Sequence, residues 1–391
     1  MEHLKPRWVN DLLLLAKAKV DRAEVAVKRQ KEILALAEEK ADNPTLSNSQ
    51  RQEARMNASD REDDVNRAAS YYRISMREYG QLERSIQNDI PLPDPALNDL
   101  ILRLMPIYGL SHDSIEQLIF SLSSNYPILN SFIYKKIFDE LPFIPSTVNI
   151  NRSIGEGGTG SIYGNTKDKS VIYKSMAVTT RIPRGEAGLK DYLLETFIQS
   201  VLTVDPDTSK YIGKLYGVYR SGEVGSGETA LIIKMENLEP LFREEPTDEL
   251  LMGVIKDVIN ILKILREKYE FEHGDLWLPN VMRGSDKKVK LIDFGFSKIK
   301  LYNTVYASKF VTYHGRTNVL YLLERSVESI KNSGLQKLLS KYLQQSSLSD
   351  KNIETILNYQ NAPPCVNGKC ALMGGKSRKR KNKRGTRKSR R

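Results

Sequence analysis

The chain carries two short polar stretches close together, His273-Gly-Asp-Leu-Trp-Leu-Pro-Asn280 and Leu291-Ile-Asp-Phe-Gly295. In the first stretch, Asp275 is followed five residues later by Asn280. In the second, Asp293 ends an apolar run and precedes a glycine, a pattern typical of a strand that leads into a turn. Two carboxylates and an amide are oxygen donors suited to Mg²⁺, with one carboxylate left as a base. Each residue alone could simply cap a turn, but the set on two neighbouring loops favours a catalytic site.

A glycine-rich segment lies upstream, with glycines at 155, 157 and 160. Glycine lets backbone amides approach phosphate oxygens closely, because no Cβ intervenes. A dinucleotide-binding loop of this spacing would open a helix and be followed by an acidic residue about 20 positions later. Here Ser161-Ile-Tyr-Gly164 follows, and then the run from Ser170 to Lys174. The pattern therefore predicts a strand, a turn and a second strand, and an ordinary tight turn remains the alternative.

Lys174 ends the apolar run Val171-Ile-Tyr-Lys174. A lysine that faces inward from such a strand needs a carboxylate partner, because burying an unpaired charge is strongly unfavourable. Glu195 is the favoured partner, since apolar residues flank it in the helical stretch 192–202. Glu186 is the rival, but it follows a proline and a glycine and is expected in a loop.

In this order, the motifs resemble those of the eukaryotic-like protein kinase superfamily over roughly residues 148–360. The resemblance implies a two-lobed α+β fold at 146–362, with an N-lobe at 146–236 and a C-lobe at 237–362. It implies ATP and Mg²⁺ as cofactors and transfer of the γ-phosphoryl group to a hydroxyl, most simply Ser or Thr of a protein substrate. The residues it assigns are Gly155, Gly157, Gly160, Ile162, Lys174, Met235, Glu236 and Leu238 for ATP, Asn280 and Asp293 for the metal, and Asp275, Lys174 and Glu195 for catalysis.

The chain departs from the family pattern at several positions. Gly274 stands where many regulated protein kinases have an arginine that pairs with a phosphorylated loop, so this form of regulation is not expected. Trp277 replaces the lysine typical of serine/threonine kinases, and Asn318 stands where a helix usually has aspartate. The His-Gly-Asp sequence is also similar to small-molecule phosphotransferases such as aminoglycoside and choline kinases. A small-molecule kinase is therefore an alternative, and a weakly catalytic scaffold that acts through its helical arm is another.

The first ninety residues predict an antiparallel coiled-coil hairpin, at 1–90. Apolar positions alternate at spacings of four and three through two long stretches, which is typical of a supercoiling seam. The break between them lies at Asp42-Asn-Pro44, with 47–49 as cap candidates. We expect residues 8–88 to act as a spacer or self-association arm, or to dock a specific partner.

Three prolines at 91, 93 and 95 end the hairpin, because proline blocks helix continuation. Short apolar patterns of helical spacing follow from residue 97 to about 143 and predict a small helical module, at 91–145. The sequence suggests no function for this module.

Charge is concentrated at one end of the chain. Lys and Arg number 60 against 48 Asp and Glu, a net charge of +12. Eleven of the 60 lie in residues 376–391, which hold no acidic residue, so the rest carries 49 basic residues against 48 acidic ones. This excludes a globular domain coated in positive charge for nucleic acid. We expect 363–391 to be a disordered tail whose basic end binds an anionic partner, either nucleic acid or an acidic protein.

Cysteine content and hydropathy predict an intracellular protein, cytoplasmic or nuclear. Cys365 and Cys370 are the only cysteines, which is too few for a disulfide framework. A zinc site needs roughly four ligands, and no histidine lies near these two cysteines to supply the others. No run approaches the ~18 apolar residues of a membrane span, so no membrane partner is expected. The tail from Met373 is similar to basic tails on many proteins of giant DNA viruses, which implies a viral origin and a host-cell or virion location.

Overall fold

The computed structural model describes residues 7–87, 95–123, 127–146, 148, 153–157, 160–165, 167–178, 184–222, 229–242, 245–308, 322–324, 326, 336–337, 339–341 and 350–357. Within them the fold is mixed α+β, with helices and small antiparallel sheets, so the α+β part of the predicted fold is confirmed. In this part of the chain no helix is both long and apolar enough to span a bilayer.

Two long helices form the N-terminal arm, α1 (Arg7–Asp42) and α2 (Asn48–Gln87). They pack side by side and must run antiparallel, because only five residues connect them. Ser47 and Gln50 form a capping box at the start of α2: Ser47 Oγ accepts from Gln50 N at 3.3 Å, and Ser47 N donates to Gln50 Oε1 at 3.0 Å. The seam positions Ala16, Val20, Ala23 and Ala54 are buried between the helices or against their neighbours.

Three shorter helices follow, α3 (Pro95–Tyr108), α4 (His112–Ser123) and α5 (Pro127–Glu140). Most of their apolar side chains are buried, and these share one core cluster with the rest of the molecule. The segment after α5 joins the sheet directly, since Arg220 N donates to Pro142 O at 2.9 Å. The predicted boundary near residue 145 is therefore bridged by backbone hydrogen bonds.

A five-stranded antiparallel sheet in the order β1-β2-β3-β5-β4 comes next. Its elements are β1 (Ser153–Gly157), β2 (Gly160–Gly164), β3 (Val171–Ala177), helix α6 (Arg184–Val204), β4 (Leu215–Ser221) and β5 (Ala230–Glu236). Helix α6 begins at Arg184, so the expectation that Glu186 lies in a loop is wrong. A proline directly before a helix and a glycine in its first turn are compatible with a helix start, because the first amides have no intrahelical partner.

The remaining elements follow β5 along the chain. They are β6 (Glu239–Pro240), α7 (Asp248–Tyr269), β7 (Val281–Arg283), β8 (Val289–Leu291), β9 (Lys298–Leu301), β10 (Thr304–Ala307) and α8 (Asp350–Leu357). Strands β6, β7 and β8 form one small sheet, and β9 and β10 form a hairpin. Thr247 caps α7 by accepting from Leu250 N at 3.3 Å. Three sequence predictions lie outside the described residues: Asn318, the cysteine pair 365/370 and the basic tail.

Candidate functional site

Lys174, Glu195 and Asp293 lie far apart in the sequence but come together in the fold. Lys174 Nζ lies 2.6 Å from Glu195 Oε1 and 3.6 Å from Asp293 Oδ1. Strand β3 supplies the lysine and the buried middle of α6 supplies the glutamate, so Glu195 rather than Glu186 is the partner. Lys174 and Glu195 are both buried, whereas the Asp293 side chain keeps 37% of its surface exposed. The buried Lys174–Glu195 ion pair therefore lies next to the Asp293 carboxylate, whose side chain is partly accessible to solvent or a ligand.

The electrostatics of this cluster favour a charged lysine. Burial opposes the charge on Lys174, but the carboxylates of Glu195 and Asp293 outweigh it, and the pKa of the ammonium group is raised. Burial also raises the pKa of Glu195, with Lys174 acting against that shift. We describe the two as an ion pair, because two carboxylates face one ammonium group at short range.

Asp293 is held in an unusual backbone conformation. Its φ is +62°, in the left-handed region that few residues with a Cβ adopt, aspartate and asparagine more often than most. The next residue, Phe294, is fully buried and anchors the turn, and its carbonyl accepts from Ser297 N at 3.0 Å. Oδ1 of Asp293 is buried and accepts no hydrogen bond from the described residues. An anionic oxygen with only a 3.6 Å ion contact is suited to a further cation.

Asn280 and Asp275 lie on the neighbouring loop, which ends in a 3₁₀ turn at Leu278–Asn280. Asn280 Nδ2 donates to the Asp275 backbone oxygen at 2.8 Å and to Asp275 Oδ2 at 3.2 Å. Ile292 N donates to the Asn280 carbonyl at 3.0 Å, which fixes this loop against the residues just before Asp293. Because Nδ2 serves Asp275, the amide oxygen of Asn280 is the atom left for a metal.

His273 joins the two loops, a role that the sequence reasoning missed. The ring is fully buried, and Nε2 lies 3.0 Å from the Ile292 carbonyl, so Nε2 must be the donor. Its own carbonyl accepts from Ser297 Oγ at 2.9 Å, and its ring lies 5.4 Å from the Phe294 ring. Burial lowers the pKa of His273, which keeps the imidazole neutral. The position of a histidine just before Gly274-Asp275 was the available signal.

Gly274 occupies a position that no other residue fits. Its φ is +79°, and a Cβ built there would lie 2.0 Å from the Phe296 carbonyl oxygen. The absence of arginine at this position is therefore a steric requirement of this backbone. The same requirement places Asp275 directly after a left-handed turn.

Replacing Gly274 with alanine is expected to destabilise the protein by at least about 2 kcal/mol, because a left-handed Cβ is strained and the clash adds to it. Chemical denaturation measures the loss. Gly253→Ala in helix α7 is the matched control, because a Cβ there meets nothing within 4 Å. That change is expected to stabilise the helix by about 1 kcal/mol. Equal effects of the two changes would contradict the assigned backbone.

The glycine hairpin lies beside Lys174. Strands β1 and β2 end at the pair Gly157–Gly160, and Ile162 stands opposite Lys174 across β2 and β3. A Cβ at Gly160 would lie 2.3 Å from the Ser175 carbonyl oxygen, so close strand packing requires this glycine. Gly155 has space for a side chain, its nearest neighbour being Ile162 Cβ at 3.9 Å. The predicted strand-turn-strand pattern matches these strands.

Met235, Glu236 and Leu238 lie at the end of β5 and in the link to β6. The Glu236 side chain does not face a ligand site: both carboxylate oxygens contact Lys290 Nζ, at 3.0 and 2.8 Å. Both side chains are buried, and Glu236 Oε2 also accepts from Lys214 N at 3.2 Å. Only the backbone of Glu236 is therefore available to a nucleotide, and Lys290 is a partner that the sequence reasoning did not identify.

A second group of possible metal ligands lies on the helical module. His112, Asp113 and Glu116 bring one ligand atom each to within 4.8 Å of one another. His112 Nε2 is also 2.8 Å from Asn98 Oδ1. These residues are not part of the Lys174 cluster.

The cluster combines a held ammonium group, two metal-type oxygen ligands and a separate carboxylate, Asp275. That set can neutralise a polyanion and accept a proton from a neutral acceptor. No protein-family model matches the chain, and no curated protein matches it significantly.

Proposed function

We propose that the chain is an ATP-dependent phosphotransferase of protein-kinase-like fold that moves the γ-phosphoryl group of ATP to a hydroxyl, most simply Ser or Thr of a protein. The observation that carries the proposal is the Lys174–Glu195 ion pair beside Asp293. Burying an ion pair is expensive, and a hydrophobic pair would often be as stable. Lys174 is buried, and besides Glu195 it lies next to the partly exposed carboxylate of Asp293. A role in binding phosphate explains this arrangement better than a contribution to stability does.

The chain's own residues supply positioning and charge. Lys174, held by Glu195, contacts the α- and β-phosphates, and the glycine hairpin ending at Gly157–Gly160 covers them. Asp275 orients the acceptor hydroxyl and accepts its proton as the oxygen attacks the γ-phosphorus and the bond to ADP breaks. Asn280 and Asp293 would hold Mg²⁺, which would neutralise negative charge on the phosphates.

Two observations support this use of the metal-type oxygens. Asp293 Oδ1 accepts no hydrogen bond from the described residues, and the Asn280 amide donates to Asp275 through Nδ2, so that its own oxygen is left for a metal. The Ile292–Asn280 backbone bond keeps the two ligands on adjacent, mutually fixed loops. The residues present therefore fit a hard divalent cation.

The substrate class has a specific alternative, a small-molecule hydroxyl. Gly274 fills the place of the arginine used in phosphorylation-regulated protein kinases, and its backbone excludes any side chain. Trp277, two residues after Asp275, is 40% exposed and could contact a small acceptor as readily as a peptide. The scaffold alternative predicts that Mg-ATP does not bind at all.

Thermal unfolding with and without Mg-ATP tests the proposal first. At a ligand concentration about 100-fold above Kd, binding is expected to stabilise the protein by about 2.7 kcal/mol. Asp293→Asn is expected to lose the Mg²⁺-dependent part of this shift. An unchanged melting temperature for the wild-type chain in Mg-ATP would favour the scaffold.

Transfer of label from γ-labelled ATP tests the substrate class. The chain is incubated with a heat-treated protein lysate or with the lysate's metabolite fraction, and Asp275→Asn serves as the inactive control. Label on protein hydroxyls supports the proposal. Label only in small molecules overturns the protein-substrate assignment, and no difference from the control overturns the activity.

Partners and location are proposed on the sequence alone. Beyond a protein substrate, we propose an anionic partner for residues 376–391 and self-association through residues 8–88. An intracellular location, cytoplasmic or nuclear, completes the proposal.

A further inference from the structure

We propose that the helical module α3–α5 with its following segment, residues 95–144, is a built-in positioning element for helix α6, and so for Glu195. We call it the clamp. The inference rests on the proposed function for its catalytic meaning, because Glu195 matters through Lys174. The structural part of the inference is that the clamp holds α6 and the β9–β10 hairpin in place. This part can be tested without an activity assay.

The clamp packs against α6, which also contacts strands β4 and β5 of the sheet. Both α3 and α5 pack against α6, and their apolar residues join its fully buried Phe197 and Ile198 in one cluster. Ser200 Oγ lies 3.3 Å from the hydroxyl of Tyr108, which is the last residue of α3 and fully buried. Helix α6 therefore packs against both the clamp and the sheet. A displacement of Glu195 away from Lys174 would have to open the interface between α6 and the clamp.

The clamp is also fixed to the edge of the five-stranded sheet. Arg220 of β4 donates from its backbone N to Pro142 O at 2.9 Å and from Nε to Leu141 O at 3.0 Å. Ile144 N returns a bond to Arg220 O at 3.1 Å, and the Arg220 guanidinium lies 4.0 Å from the Phe143 ring centre. Backbone pairing and a cation–π contact together prevent the clamp from sliding along α6.

A third contact joins the clamp to the segment that follows Asp293. Tyr306 of β10 is buried, its ring lies 5.0 Å from the Phe197 ring of α6, and β10 packs against both α4 and α6. Tyr302 of the same hairpin donates to Ala96 O of α3 at 2.8 Å. Phe197 lies two residues after Glu195, so the β9–β10 hairpin joins the clamp to α6 close to this glutamate.

These contacts explain how a buried charge such as Glu195 is held at 2.6 Å from its partner. A helix restrained only by the sheet could rotate and expose the carboxylate to water, which the desolvation of that group favours. Packing against a rigid neighbour opposes the rotation, because packed interfaces do not deform continuously. The clamp thus favours the arrangement in which Glu195 pairs with Lys174 and holds its ammonium group in position.

Tyr306→Leu in the full chain tests the inference through amide hydrogen exchange. We expect exchange in residues 184–204 and 298–307 to accelerate at least about tenfold, while exchange in α7 (Asp248–Tyr269) is unchanged. Val258→Ala in α7 is the control, a buried truncation away from the clamp. Unchanged exchange in 184–204, or the same pattern in the control, would overturn the inference.

A double-mutant cycle tests the catalytic consequence. Tyr306→Leu is expected to lower kcat/KM about tenfold in the wild-type background but less than about twofold in Glu195→Gln, because the clamp acts through Glu195. The same fold-loss in both backgrounds would make the effect merely structural and overturn the positioning role. If the wild-type chain transfers no phosphate, the proposed function fails, whereas the exchange experiment still decides whether the clamp exists.

Discussion

Asp275→Asn is expected to reduce phosphoryl transfer by at least about 10²-fold, the typical contribution of a general base. The asparagine amide cannot take the acceptor's proton, yet its oxygen can still accept the 3.2 Å bond from Asn280 Nδ2. The loop should therefore keep its shape, and the melting temperature and its shift in Mg-ATP should stay near the wild-type values. Initial rates with labelled ATP and thermal unfolding measure the two effects.

Asp286→Asn is the matched control for this change. Asp286 lies in the exposed turn between β7 and β8, where its Oδ1 accepts from Lys288 N at 3.2 Å. An asparagine oxygen can accept the same bond, so both activity and stability should be retained. A rate for Asp275→Asn within about twofold of wild type would remove Asp275 from the mechanism.

Lys174→Met is expected to abolish transfer and also to destabilise the protein by about 3–5 kcal/mol, because it leaves Glu195 buried without a cation. Fold and activity are thus not separable in this single variant. Lys174→Met/Glu195→Leu separates them, since an apolar pair of similar volume removes the buried charge. The double variant should recover most of the free energy of unfolding and remain inactive. Recovery of activity would contradict the role of the ion pair.

The destabilisation by Lys174→Met should depend on pH. Without the lysine, nothing opposes the effect of burial, which raises the pKa of the Glu195 carboxyl. The folded variant then binds a proton that the unfolded chain has already released, so its stability falls as pH rises from the ordinary glutamate pKa through the raised one. The difference in unfolding free energy from wild type should therefore be smaller at pH 5 than at pH 8. A pH-independent difference would show that Glu195 is not the group left unpaired.

The candidate site was largely predictable because its parts are local motifs. A glycine pattern followed by alternating apolar residues predicts a hairpin, and an apolar run ending in Asp293 predicts a strand and turn. Lys174 on an apolar strand requires a carboxylate, and the burial pattern of its helix selects Glu195. These are properties of spacing and polarity, which the chain carries in any conformation.

Other features depend on residues far apart in the chain. Glu236 is one of the residues that the kinase resemblance assigns to ATP, yet in the fold its side chain pairs with Lys290, 54 residues away. His273 holds the Asp293 loop through the Ile292 carbonyl, a backbone atom that no side-chain pattern reveals.

The order of the glycine, lysine and carboxylate motifs is enough to predict which residues would contact a phosphate, because the charge and spacing of these residues are properties of the sequence itself. The helical module shows the opposite case, since its apolar periodicity predicts helices but no target for their buried faces. Its contact with α6 arises from packing between residues such as Tyr108 and Ser200, 92 positions apart. Contacts between residues so far apart in the sequence depend on how whole helices and strands pack together, because the interface forms only when both elements are in place.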